Sequence, residues 1–102
     1  MYKIALVCEN GASTGMVVKK MREAAKKRGI EAEIQAYPYT QLENFIEEVD
    51  AILLGPQIAY KKDVIAKTFS KYADKIDVIK PMDFGMMNGE KILDDAIAII
   101  KK

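Results

Sequence analysis

The stretch Ile4-Ala5-Leu6-Val7-Cys8-Glu9-Asn10-Gly11-Ala12-Ser13-Thr14-Gly15 changes character twice. An unbroken apolar run stops at Cys8, a loop with glycines and hydroxyls follows, and a helical pattern opens at Thr14. The run lacks polar alternation, so it predicts a strand over 3–7 buried on both faces of a parallel sheet. Cys8 is the only cysteine and stands where that strand ends. Loop N–H groups and a helix N-terminus are both positive, so they favour a thiolate and a bound anion. Gly11 and Gly15 let the backbone come close to a phosphate, and Ser13 and Thr14 offer hydroxyl donors or a helix cap. The expected thiol is partly exposed and acidified. The plainer alternative is a small, inert cysteine packed beside an ordinary strand–helix turn.

Outward from this stretch, strands and helices alternate. Residues 14–28 predict a helix, with Val17, Met21, Ala24 and Ala25 on one face and Gly29 as the stop. Residues 30–36 alternate strictly, with Ile30, Ala32, Ile34 and Ala36 against Glu31, Glu33 and Gln35. A half-exposed strand of this kind belongs at a sheet edge. Thr40 and Glu43 match a capping box ahead of a short helix carrying Leu42, Phe45, Ile46 and Val49. Ala51 to Leu54 is a second buried strand, ended by Gly55-Pro56. A helix is expected over 61–72 with Val64, Ile65, Thr68 and Phe69 inward, then a strand over 76–79. A last helix opens at Asn88 or Gly89 and buries Ile92, Leu93, Ala96, Ile97 and Ile100.

This order predicts an α/β fold: one domain over residues 1–102, with a four-stranded parallel sheet in the order 2-1-3-4 and helices on both faces. Low-molecular-weight tyrosine phosphatases have a similar topology. In such sheets a ligand binds beyond the carboxyl ends of the strands, where the winding reverses. The reversal falls between the first and third strands, so the loop after Cys8 meets the loop Gly55-Pro56-Gln57-Ile58-Ala59-Tyr60. Gly55, Pro56, Gln57 and Tyr60 are therefore candidate cleft-wall residues; the alternative is a plain turn with Ile58 and Tyr60 filling space. Asp83 is expected near the carboxyl end of the fourth strand.

Composition narrows the chemistry. The 102 residues fit a single domain with one core. A net charge of +1 does not suggest a nucleic-acid binder. One cysteine forms no internal disulfide, which points to a reducing, cytoplasmic setting. No segment reads as a membrane span or a signal peptide. The chain has no histidine, so a Cys-His pair and a His-ligated metal are excluded. No metal or cofactor is expected. The basic residues Lys19, Lys20, Arg22, Lys26, Lys27 and Arg28 read as a solvated helix face, and Met86-Met87 beside Gly85 as core or an adaptable contact.

Three stretches together resemble the IIB subunits of the lactose/cellobiose (chitobiose) family of the bacterial phosphoenolpyruvate-dependent sugar phosphotransferase system. They are Cys8-Glu9-Asn10-Gly11-Ala12-Ser13-Thr14-Gly15-Met16, Leu53-Leu54-Gly55-Pro56-Gln57-Ile58-Ala59-Tyr60 and Phe84-Gly85-Met86-Met87-Asn88-Gly89. The resemblance implies a cytoplasmic phosphotransferase component. It implies that Cys8 becomes phosphocysteine, taking the phosphoryl group from a phosphohistidine of a IIA subunit and passing it to a sugar bound by the membrane subunit IIC. It matches Glu9, Asn10, Gly11, Ala12, Ser13, Thr14 and Gly15 to the phosphate-binding loop. Glu9 departs from the family, which often has a small neutral residue there. A rim of small and apolar residues, including Ala12 and Met16, is expected to meet IIA. Two other functions share the topology. A cysteine phosphatase or arsenate reductase needs an arginine six residues after the nucleophile, where this chain has Thr14. A non-catalytic anion-binding module needs only the loop.

Overall fold

The computed structural model describes residues 1–9 and 14–102. Its strands are β1 (Tyr2–Cys8), β2 (Ala32–Pro38), β3 (Ala51–Leu54) and β4 (Ile76–Val78). Its helices are α1 (Gly15–Lys27), α2 (Leu42–Phe45), α3 (Lys62–Thr68), α4 (Pro81–Gly85) and α5 (Gly89–Ile100). The strands pair in parallel in the order β2-β1-β3-β4, as the sequence pattern requires.

The two central strands explain the layering. Successive side chains along a strand point to opposite faces. Ile4 and Leu6 of β1 and Ala51 and Leu53 of β3 join Val17, Met21, Ile92 and Leu93 in one core. Ala5, Val7, Ile52 and Leu54 join Leu42, Phe45, Ile58 and Ile65 in a second core on the other face. Thus α1 and α5 cover one face, and α2 and α3 the other. Tyr37 stacks on Phe45, ring centroids 4.0 Å apart, and extends the second core to the β2 edge.

Side chains bond an outward backbone group on each free edge of the sheet. The Tyr2 N–H donates to the Glu31 carbonyl, so odd-numbered residues of β2 face β1 and even-numbered ones face outward. On that outer side Arg22 donates from Nε and Nη2 to the Ile34 carbonyl at 2.9 and 2.6 Å. Pro38 occupies an outward position, where its missing N–H costs no ladder bond. At β4 the Ile79 N–H bonds Leu54, so the Val78 N–H points outward, and the Asp77 carboxylate accepts it at 2.8 Å.

Several expected boundaries shift. The strand expected over 30–36 runs Ala32–Pro38. The Thr40–Glu43 capping box does not form. A 3-10 turn, Tyr39–Gln41, leads into α2 with Gln41 at the cap and no side-chain capping bond. Tyr39 packs on the second core there, and packing overrides the capping motif. The helix expected over 61–72 breaks at Phe69, whose φ and ψ of −116° and 51° are not helical. Its inward face follows Ile65, Phe69 and Tyr72; Val64, 64% exposed, and Thr68 face solvent, contrary to expectation. Helix α4 was not foreseen. Pro81 opens it at a position where a proline costs no hydrogen bond.

The route from α4 into α5 fixes the packing of α5 on α1. Met87 has φ of 50°, a left-handed turn, and the Asn88 side chain accepts the Lys91 N–H at 3.2 Å to cap α5. A Cβ on the next residue, Gly89, would lie 2.5 and 2.6 Å from the Lys20 carbonyl carbon and oxygen and 2.7 Å from the Met21 nitrogen. Backbone cannot yield as a side chain does. Gly89→Ala is expected to lower the unfolding free energy by about 1–3 kcal/mol, the usual cost of overpacking. Gly85→Ala, with nothing within 4 Å of the added atom, serves as the control and should stay within about 0.5 kcal/mol. Chemical denaturation of the two variants compares them directly, and equal stabilities would show that α1 and α5 do not meet this closely.

Candidate functional site

Cys8 ends β1 at the carboxyl edge of the sheet, with Pro38 beside it in register. Strand alternation turns its side chain to the face that α1 covers. There Thr14 Oγ1 donates to Cys8 Sγ at 3.6 Å. Thr14 is the N-cap residue of α1, yet its side chain makes no capping bond. Of the two roles the sequence left open, the structure gives its hydroxyl to the sulfur. No acidic residue sits in the first turn of α1.

The third strand supplies the opposite wall. The Gly55 N–H donates to the Val7 carbonyl at 2.7 Å. A Cβ built on Gly55 would lie 3.7 Å from Cys8 Cβ, an ordinary van der Waals distance, so this turn runs directly beside the cysteine. Pro56 then starts a 3-10 turn, Pro56–Lys61, pinned into the second core by the fully buried Ile58. Gln57 is exposed, and Tyr60, 70% exposed, does not fill space as Ile58 does.

Of the expected loop, the structure describes Glu9, Thr14 and Gly15; Asn10, Gly11, Ala12 and Ser13 lie outside the described residues. Glu9, Gly15 and Met16 are exposed, and Thr14 is fully buried. Cys8 is 1% exposed, which corrects the expectation of a partly exposed thiol. The cause is the turn of its side chain toward Thr14 and α1, the face that also buries Ile4 and Leu6. Asp83 stands in α4, just past β4. Its Oδ2 is buried without a hydrogen-bond partner among the described residues, and its carbonyl accepts the Asn88 N–H at 2.9 Å. A hydrogen bond to Asp95 holds the Lys91 ammonium above its ordinary pKa against the effect of burial, with the Asp95 and Asp83 charges adding to it. Among the described residues no three Cys, Asp or Glu side chains gather as metal ligands.

One feature of this rim had no signal in the sequence. Lys61 Nζ lies 4.3 Å from the ring centroid of Tyr39 and 5.2 Å from that of Tyr60. Burial by itself lowers the Lys61 pKa, but Tyr39 and Tyr60 outweigh it and hold the ammonium above its ordinary value.

The family model for the lactose/cellobiose-specific IIB subunit of the phosphotransferase system matches residues 3–95. The chain belongs to this family. It is 36% identical over 100 residues to the oligo-beta-mannoside-specific EIIB component of Bacillus subtilis, covering 98% of this chain and 97% of that one. It superposes with a TM-score of 0.83 on the cellobiose-specific IIB component of Borrelia burgdorferi, at 35% identity over 98% of this chain and 92% of that one. A low-molecular-weight tyrosine phosphatase of Streptococcus pyogenes shares the fold alone, with a TM-score of 0.61 and 13% identity over 96% and 92% of the chains. This IIB chain is therefore a phosphoryl-carrying component of a sugar phosphotransferase system, working with IIA and IIC subunits. No helix among the described residues is long and apolar enough to cross a membrane.

The Thr14 hydroxyl is the described side-chain donor to the sulfur, so its removal has a defined consequence. A hydrogen bond to a charged group contributes about 1.5–3 kcal/mol. Thr14→Val removes this donor and should therefore leave less of Cys8 as the thiolate. Alkylation by iodoacetamide at neutral pH is expected to slow by about ten-fold as the thiolate fraction falls. An unchanged rate in the folded variant would mean that the hydroxyl does not stabilise the thiolate.

Proposed function

We propose that Cys8 is the residue that carries the phosphoryl group. The observation that supports this most is the Thr14 hydroxyl directed at Cys8 Sγ across the start of α1. In the first step the Cys8 thiolate attacks the phosphorus of the phosphohistidine on IIA. The S–P bond forms, the P–N bond breaks, and the imidazole takes up a proton. In the second step a hydroxyl oxygen of the sugar held by IIC attacks the same phosphorus. The S–P bond breaks, the thiolate leaves, and the hydroxyl proton passes to a base or to water. Backbone N–H groups of residues 9–15 and the first turn of α1 hold the phosphoryl oxygens. Gly55, Pro56, Gln57 and Tyr60 form the other wall of the cleft.

The absence of histidine fits a carrier, because the donor histidine belongs to the partner. The absence of arginine from residues 9–15 also fits, because hydrolysis needs a cation on the transition-state charge and a carrier must avoid hydrolysis. We read residues 1–102 as one carrier domain acting in the cytoplasm, where reducing conditions keep Cys8 a thiol. The sugar is of the cellobiose, lactose or chitobiose type, and cellobiose-specific components are among the similar proteins. IIA and IIC use the same sulfur and therefore dock in turn on one rim that includes Ala12 and Met16.

Cys8→Ser should still fold, since the two side chains are close in size and Thr14 can hydrogen-bond the buried hydroxyl, and should abolish relay from phosphorylated IIA to sugar. In the wild type the phosphocysteine is expected to hydrolyse slowly and to discharge quickly when unphosphorylated IIA is added. Retained relay in Cys8→Ser would move the chemistry to another residue. Steady turnover of aryl phosphates by the wild type would favour the phosphatase reading.

A further inference from the structure

The two rings that hold Lys61 come from opposite sides of β1. Tyr39 directly follows Pro38, the register partner of Cys8 in β2. Tyr60 lies in the turn that leaves β3 at Gly55, against Cys8 Cβ. Neighbouring strands are about 4.8 Å apart, so β2 and β3 stand roughly 10 Å apart with β1 between them. The Tyr39–Lys61–Tyr60 contact therefore lies at the carboxyl edge of the sheet that β1 also reaches, on the second-core face, whereas the Cys8 side chain turns to the α1 face.

Three properties distinguish this ammonium. It is held in place, because two aromatic faces attract it. It is not neutralised: Lys61 has no ion pair among the described residues, whereas its neighbour Lys62 is paired with Asp77 at 3.5 Å. It is within reach of a partner, because Tyr60 is 70% exposed and Val64, one turn further on, is 64% exposed. The residues that follow Cys8 are of the opposite sign. Glu9 is exposed, and residues 9–15 contain no lysine or arginine. A doubly negative phosphoryl group approaching Cys8 thus meets a carboxylate at the loop and a fixed cation on the flank.

We propose that Lys61, held between Tyr39 and Tyr60, is a positioning residue that draws the phosphohistidine-bearing face of IIA onto Cys8. This rests on the reading that Cys8 accepts the phosphoryl group, and it adds the charge that orients the donor. Lys61 acts before the reaction, on encounter, and does not touch the reacting atoms. Its contribution lies in the association rate and falls with salt.

Rapid-quench measurement of transfer from phosphorylated IIA tests this in wild type, Lys61→Gln, Lys61→Arg and Lys67→Gln. Lys67 is an exposed lysine of the last turn of α3, so its removal changes net charge equally without touching the rim. At low salt the second-order rate constant for Lys61→Gln should fall by about 3–10-fold, a single charge's share of electrostatic steering. The difference should vanish near 1 M salt, where the screening length is about 3 Å. The rate at saturating IIA should stay unchanged, Lys61→Arg should restore the wild-type value, and Lys67→Gln should match wild type. Equal rates for wild type and Lys61→Gln at low salt would overturn the inference. So would an equal loss in Lys67→Gln, or a loss that persists at high salt and at saturation. If wild type itself takes no phosphoryl group onto Cys8, the carrier reading fails first and the inference falls with it.

Discussion

Burial of β1 on both faces is the constraint from which the rest of the arrangement follows. Residues 4–8 are each at most 1% exposed, and their side chains alternate between two separate cores. A strand buried in this way needs a paired neighbour on each side and a helical layer above and below. The chain passes from β1 to β2 on one side and then crosses back from β2 to β3 on the other side of β1. The winding reverses at β1, and a crevice opens where the strand ends. Cys8 is the last residue of that strand, so the packing that stabilises the sheet also sets the position of the sulfur.

The surroundings of Cys8 suit a group that is held and passed on. Thr14 reaches the sulfur from the N-cap of α1, and the β3 turn runs beside the cysteine at Gly55. The fold is shared with low-molecular-weight tyrosine phosphatases, yet fold alone does not decide between hydrolysis and relay. The difference lies in side chains. A hydrolase places a full positive charge in the loop, whereas residues 9–15 here carry none. Lys61 stands outside the loop, between the rings of Tyr39 and Tyr60.

Much of this was legible in the sequence. The apolar run into Cys8, the alternation around Ile34 and the Gly55-Pro56 stop gave the sheet order and the location of the cleft, because burial on one or two faces leaves distinct periodicities. Asn88 and Gly89 marked the start of α5 for the same local reason. The misses share a different cause. The Thr40–Glu43 cap yielded to Tyr39 packing, and the α3 face was read too wide: Ile65 and Phe69 face the core as expected, but Val64 and Thr68 do not, because Val64 and Ile65 look alike without their neighbours. The Cys8 thiol was expected to be more exposed because its contact with Thr14 depends on how α1 sits. The pairing of Lys61 with Tyr39 joins residues far apart in the chain, and no local pattern announces it.

The account depends on one atom, Cys8 Sγ, receiving the phosphoryl group. Fragmentation mass spectrometry of the chain after brief exposure to phosphorylated IIA tests this directly, under neutral conditions that preserve an S–P bond. The account predicts a single added phosphoryl group, confined to the peptide containing Cys8. A phosphoryl group on any other residue, or a chain that takes up none while IIA remains charged, would contradict it.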